Sequence, residues 1–168
     1  GVIGDNVSGV DSAGSVNVIY GSPPTLPTAR AINPSPDALT AIGDQLWHQD
    51  SPGILGDIEA NDFFGAAPAW GDFHGHGFTD VVTSSDTGAM RVRYGTVAGT
   101  FDTVESITDP VGTSYVHMRV VQMDGDAADE IVALPAGSIT GVRLFDGEVG
   151  QDLGEPVIVH FRAPAASV

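Results

Sequence analysis

The chain has no cysteine and no lysine, only 7% aromatic residues, and no apolar run long enough to cross a bilayer. Without cysteine there is neither a disulfide framework nor a thiolate nucleophile. Without lysine there is no G-x-x-x-x-G-K-[ST] phosphate loop, and no serine sits in a G-x-S-x-G elbow, so phosphoryl transfer and serine-nucleophile chemistry lack their motifs. Positive charge is scarce as well: six arginines face 22 acidic residues, for a net charge of -16. Such a surface repels phosphate backbones and anionic headgroups, which argues against nucleic acid or membrane as partners and makes cations the natural ones. The same excess also serves to keep a secreted or salt-adapted protein in solution. Helical spacing of apolar residues is nearly missing, with Ala38 to Leu46 the best and a poor candidate. No signal-peptide pattern opens the sequence, and the expectation is a soluble, already processed protein.

What is present suits short strands. Hydrophobic residues make up 42% of the 168, enough for one core, and 22 glycines with 11 prolines suit tight turns. Strands are expected near Ser15 to Tyr20, Asp44 to Gln49, Gly65 to Asp72, Asp80 to Ser84, Met90 to Tyr94, Glu105 to Thr108, Tyr115 to Met123, Glu130 to Leu134, Gly141 to Phe145 and Pro156 to Phe161. Two of the turns between them are copies of one unit. Asp72-Phe73-His74-Gly75-His76-Gly77-Phe78-Thr79-Asp80 and Gln122-Met123-Asp124-Gly125-Asp126-Ala127-Ala128-Asp129-Glu130 begin 50 residues apart, and each runs into an apolar strand. The strand after the loop recurs too. Gly14 to Gly21 aligns with Gly88 to Gly95 and, more loosely, with Val142 to Gly147; the last two glycines, Gly95 and Gly147, are 52 apart, while Gly21 and Gly95 are 74 apart. The longer interval holds a proline-rich run over 22–40 (Pro23, Pro24, Pro27, Pro34, Pro36), which opposes helix and central strand alike and reads as a surface insertion. A period near 50 residues means stacked supersecondary units and suits propeller blades.

The expected fold is therefore all-β, a single segment made of blades of four antiparallel strands. Residues 1–50 give a partial first blade, 60–110 a second and 111–168 a third, about two and three-quarter blades in all. The first blade lacks its innermost strand, and Pro156 to Phe161 is already needed as the outermost strand of the third. Open faces and edges are liabilities, so the segment is expected to belong to a larger ring or to be completed by another chain, with a free-standing three-blade ring as the alternative.

Phe64-Gly65-Ala66-Ala67-Pro68, the Gly71-Asp72-Phe73 to Asp80-Val81-Val82 loop and the Val92-Arg93-Tyr94-Gly95 strand together resemble the FG-GAP repeats of integrin α-subunit propellers and of secreted bacterial, especially actinobacterial, proteins. Gly1 to Val7 looks like the tail of one such unit, and Gln45 to Gly53 is similar to an outer-strand segment of actinobacterial members. Ser114-Tyr115 stands where the third unit would carry Phe-Gly. The resemblance implies calcium in the loops, with side-chain ligands at the first, third, fifth and ninth positions and a carbonyl at the seventh. In the third unit these are Gln122, Asp124, Asp126, the carbonyl of Ala128, and Glu130. Calcium takes six to eight hard oxygen ligands, which such a loop supplies, although Gln122 replaces an acid and Ala127 a glycine; a solvated acidic turn is the plainer alternative.

In the middle unit the corresponding set is Asp72, His74, His76 and Asp80. Imidazole is a poor calcium ligand, so this loop is expected to keep its shape through Gly75, Gly77 and hydrogen bonds. A zinc, nickel or copper ion on the His-x-His pair is the sharper reading. Trp47, with His48 beside it, is expected to cover a neighbouring blade rather than stack a sugar, and His117 and His160 to be structural. No catalytic residue stands out. The functional expectation is an extracellular, non-catalytic binding or scaffold module with calcium in its blade loops and a protein or glycan partner. The alternative is the propeller portion of a secreted hydrolase whose site lies in the central cleft or in a partner segment.

Overall fold

In the computed structural model, residues 1–21, 39–52, 54, 57–84, 89–108, 114–137, 141–151, 153 and 156–160 are described. Ten strands and no helix occur among them: β1 (Val16–Gly21), β2 (Leu39–Trp47), β3 (Ala69–Gly71), β4 (Asp80–Ser84), β5 (Ala89–Gly95), β6 (Phe101–Thr108), β7 (Tyr115–Val121), β8 (Glu130–Pro135), β9 (Gly141–Phe145) and β10 (Val157–His160). They form three antiparallel sheets, β1-β2, β3-β4-β5-β6 and β7-β8-β9-β10, each with its strands in chain order. The all-β class is thus observed, and the two four-stranded sheets fall within the two units expected over 60–110 and 111–168.

Three expectations about elements need adjusting. The Gly65 to Asp72 strand shrinks to Ala69–Gly71, because Phe63 and Gly65 take positive φ and the Ala66 N–H closes a turn onto the Phe63 carbonyl. The weak helical pattern over Ala38 to Leu46 falls largely in β2, where pairing with β1 (Val16 opposite Trp47, Asn17 opposite Leu46) overrides it. The proline-rich segment ends before Leu39, which already lies in the strand; 22–38 is outside the described residues.

Alternation along the strands decides which face each sheet buries. In the β3–β6 sheet, Ala69, Val82, Met90 and Val92 point one way, towards Tyr115, Met118, Ile131, Ala133 and Phe145 of the β7–β10 sheet, and make the main core with them. On the other side of the same sheet, Val81 packs with Phe101 and Val18 against Val16, Trp47, Ile54 and Phe64. Trp47 meets Phe101 edge-on and receives the Arg93 guanidinium over its ring, 4.8 Å from the centroid. The expected packing role of Trp47 is what the structure shows. His117, by contrast, is exposed on β7, and the side chain of His160 is outside the described residues.

Two glycines of the repeat have a steric reason. A Cβ on Gly95 would lie 2.2 Å from the Thr79 carbonyl oxygen, and one on Gly147 would lie 2.4 Å from that of Asp129. Thr79 and Asp129 hold the same place in their loops, immediately before the strand. The end of the third strand in each sheet is pressed against loop backbone, and only glycine fits there.

Candidate metal centres in two equivalent loops

Both loops sit between the first and second strands of their sheet, and each is held by an acid at the same position, Asp80 in one and Glu130 in the other. Asp80 is fully buried; its Oδ2 accepts the Phe73 N–H and its Oδ1 the Gly95 N–H, each at 2.8 Å. The carboxylate thereby ties the loop's start and the end of β5 to β4. Phe73 is itself fully buried in the main core, which anchors the loop by about 1.5–3 kcal/mol of apolar burial. Burial pushes the Asp80 carboxyl up, opposed by the Gly95 N–H, by His76 and by the Phe73 N–H, with the nearby Asp72 adding to the rise.

Where a cation would be held, the middle loop carries an imidazole. His76 Nδ1 is 3.0 Å from Asp72 Oδ1 and Nε2 is 3.5 Å from Asp80 Oδ1, with the Phe78 N–H also 3.3 Å from Nδ1. Asp72 is further engaged by the His76 and Gly77 N–H groups, at 3.0 and 2.6 Å. Asp72, His76 and Asp80 form one group of ligand atoms within 4.8 Å of one another. His74 is not part of it. Its ring lies against Tyr94, 4.9 Å between centroids, and meets His76 edge-on at 5.3 Å, so the His-x-His pair does not converge on one point.

The loop of the β7–β10 sheet is built alike but satisfied differently. Glu130 is 2% exposed; its Oε2 accepts the Met123 N–H at 2.5 Å, the counterpart of the Phe73 bond, while its Oε1 is buried with no hydrogen-bond partner. Asp124, Asp126 and Glu130 bring ligand oxygens within 4.8 Å of one another. Burial raises the Glu130 carboxyl, the Met123 N–H opposes this, and Asp124, Asp146 and Asp126 raise it further. Asp124 and Asp126 are themselves tied into the turn by the N–H groups of Asp126 and Ala128. Gln122 takes part through its amide: Nε2 donates to the carbonyls of Asp126 and Ala128 at 2.9 and 2.7 Å, and Oε1 accepts the Gly125 N–H. Of the five expected ligands, Asp124, Asp126 and Glu130 converge as carboxylates, while the amide of Gln122 occupies the Ala128 carbonyl.

Hydrogen bonding did more between the loops than their sequences indicate. The Asp129 carboxylate accepts the Asp72 N–H at 2.8 Å, the Asp129 N–H donates to the Asp72 carbonyl at 2.7 Å, and the Gly150 N–H donates to the His74 carbonyl. One loop is thus laid on the next. Asp129 lies outside the ligand positions of its own loop, and its role depends on how neighbouring sheets stack, which no local pattern encodes.

The donor chemistry separates the two centres. A buried, unpartnered carboxylate oxygen with two further carboxylates beside it suits a hard cation, whereas two carboxylates bridged by an imidazole are already matched from within the chain. No protein-family model matches the chain, and no curated protein and no solved structure is similar to it.

Proposed function

We propose that this chain is a non-catalytic, extracellular binding or scaffold module of FG-GAP type, a segment of a β-propeller whose Gln122–Glu130 loop takes up calcium and whose neighbouring loops contact a protein or glycan. The observation that carries the reading is the orphaned Oε1 of Glu130 beside Asp124 and Asp126. A buried carboxylate oxygen without a donor costs free energy, and a divalent cation relieves that cost together with the mutual repulsion of three acids. Calcium suits the site better than a transition metal, because every side chain offered is an oxygen donor. Two sheets of four strands in chain order, each with a loop at the same corner, support the propeller reading.

Thermal melts with calcium, with magnesium and with chelator test the reading. Calcium at about a hundred times its dissociation constant is expected to stabilise the fold by about 2.7 kcal/mol. Calorimetric titration is expected to give one site per chain, removed by Glu130→Gln. Identical melts in calcium and chelator would remove calcium from the account.

A further inference from the structure

We propose that the outer face of the β7–β10 sheet binds a second copy of this chain, head to tail, on the outer face of its β1-β2 sheet. The inference goes beyond the cation reading and rests on the sheets alone.

The internal repeat provides the comparison. Val82, Met90 and Val92 of the β3–β6 sheet are 0% exposed because the following sheet covers them. Their counterparts in the β7–β10 sheet, one repeat later, are Val132, Val142 and Leu144, and all three are only half-buried. Val132 and Leu144 lie in one register row with Val157, which is 59% exposed, and Val159, opposite Val142, is 39% exposed. The loops agree: Phe73 is fully buried under the next sheet, while Met123 at the same position is 62% exposed. This face thus continues, residue for residue, a sheet-to-sheet interface that the molecule already makes once.

What covers it follows from the faces left over. In each internal junction the later face of one sheet meets the earlier face of the next. Among the described residues one later face is left uncovered, on the β7–β10 sheet, and one earlier face, on the β1-β2 sheet, where Ile19 and Leu46 are each 53% exposed while Val16 and Trp47 on the reverse are buried. One unmatched face of each kind on a single chain is the condition for a heterologous contact, which gives a closed ring when the rotation allows. Exposed charge favours the same pairing, since Arg119 shares the row of Val132 and Asp44 lies on the strand of Leu46.

Sedimentation velocity from micromolar to millimolar protein, in chelator and at low and high salt, is the test. The expected result is a species of twice the 17.3 kDa chain mass that gains ground with salt, as the repulsion between two chains of charge -16 is screened. Val157→Lys and Val159→Lys, both at exposed positions, are expected to keep the melting curve of the dilute protein and to weaken the dimer at least about tenfold. The absence of cysteine permits a check of polarity: Ile19→Cys and Val157→Cys chains, mixed and oxidised, are expected to link to each other rather than to themselves. A chain that stays monomeric throughout, a dimer indifferent to both lysines, or variants that link only to their own kind would each overturn the proposal. Running the series in chelator keeps its failure separate from any failure of calcium binding.

Discussion

Glu130 concentrates the physics of the molecule in one residue, since it is both the staple of its loop and a buried acid with an unpartnered oxygen. Without a cation its raised carboxyl binds a proton more readily folded than unfolded, so the charged form works against the fold. Asp80 is raised in the same direction by its own burial. An acid whose folded value lies above its unfolded one makes stability fall as pH rises through that interval. In chelator the melting temperature is therefore expected to rise as the solution is acidified from neutrality towards the ordinary carboxylate range, before the remaining carboxylates protonate. A melting temperature that drops throughout that range would contradict the assignment. Glu130→Gln is expected to raise the stability of the chelated protein, by about 1 kcal/mol, and to abolish its response to calcium. At the equivalent loop, His76→Asp replaces the bridging imidazole with a third carboxylate, and calorimetry is expected to count two calcium ions per chain instead of one. The ligand positions expected in the Gln122–Glu130 loop came from the family resemblance rather than from spacing, and three of them, Asp124, Asp126 and Glu130, bring carboxylate oxygens together. The orphaned oxygen was not legible in the sequence, because it depends on which backbone N–H groups the neighbouring strand presents.

Strands were the easiest elements to read. Asp80–Ser84 and Gly141–Phe145 match their expected bounds, and most others fall within a few residues, since short apolar runs between glycine and aspartate turns leave little choice of period. The exceptions lie where tertiary pairing or turn geometry decides, as in β2 and β3. Sheet-to-sheet contacts are also set at this scale, and Trp47 is the main link from the β1-β2 sheet to the β3–β6 sheet. Its indole N–H donates to Gln45 Oε1 at 2.8 Å, Gln45 donates in turn to the Tyr20 hydroxyl at 2.9 Å, and Arg93, buried above the ring, donates to the Pro52 carbonyl at 2.8 Å. Trp47→Ala is expected to cost about 3–5 kcal/mol and to loosen the β1-β2 sheet first, seen as early amide exchange in β1 and β2 while β3–β10 stay protected. Gly147→Ala tests the stacking of the two loops, because its Cβ would meet backbone oxygens of Asp129 and Phe73 that have no room to retreat. A loss of about 1–3 kcal/mol is expected in chemical denaturation, with the strand pairing of each sheet intact.

At the level of the whole molecule, the repeat period anticipated the two four-stranded sheets, and the charge balance gave the expectation of cations as partners. How the sheets face one another followed from neither, because an alternating strand shows that one side is buried without showing against what. Net charge has its own consequence. At -16 the folded chain repels itself, and the repulsion is shortened from about 10 Å at 0.1 M salt to about 3 Å at 1 M. Monovalent salt is therefore expected to raise the melting temperature of the chelated protein even at protein concentrations too low for association. Calcium bound as proposed would act on the same repulsion at one point, so its stabilising shift is expected to be largest at low salt and to shrink as salt is added. Pairing of two chains adds a separate signature, a melting temperature that climbs with protein concentration, since anything that binds only the folded form stabilises it by mass action. Melts over a grid of salt, calcium and protein concentration separate the three effects. A salt effect absent in dilute protein would mean that the acidic residues are spaced widely enough not to oppose folding, and the stabilisation by calcium would then have to come from the Glu130 loop alone.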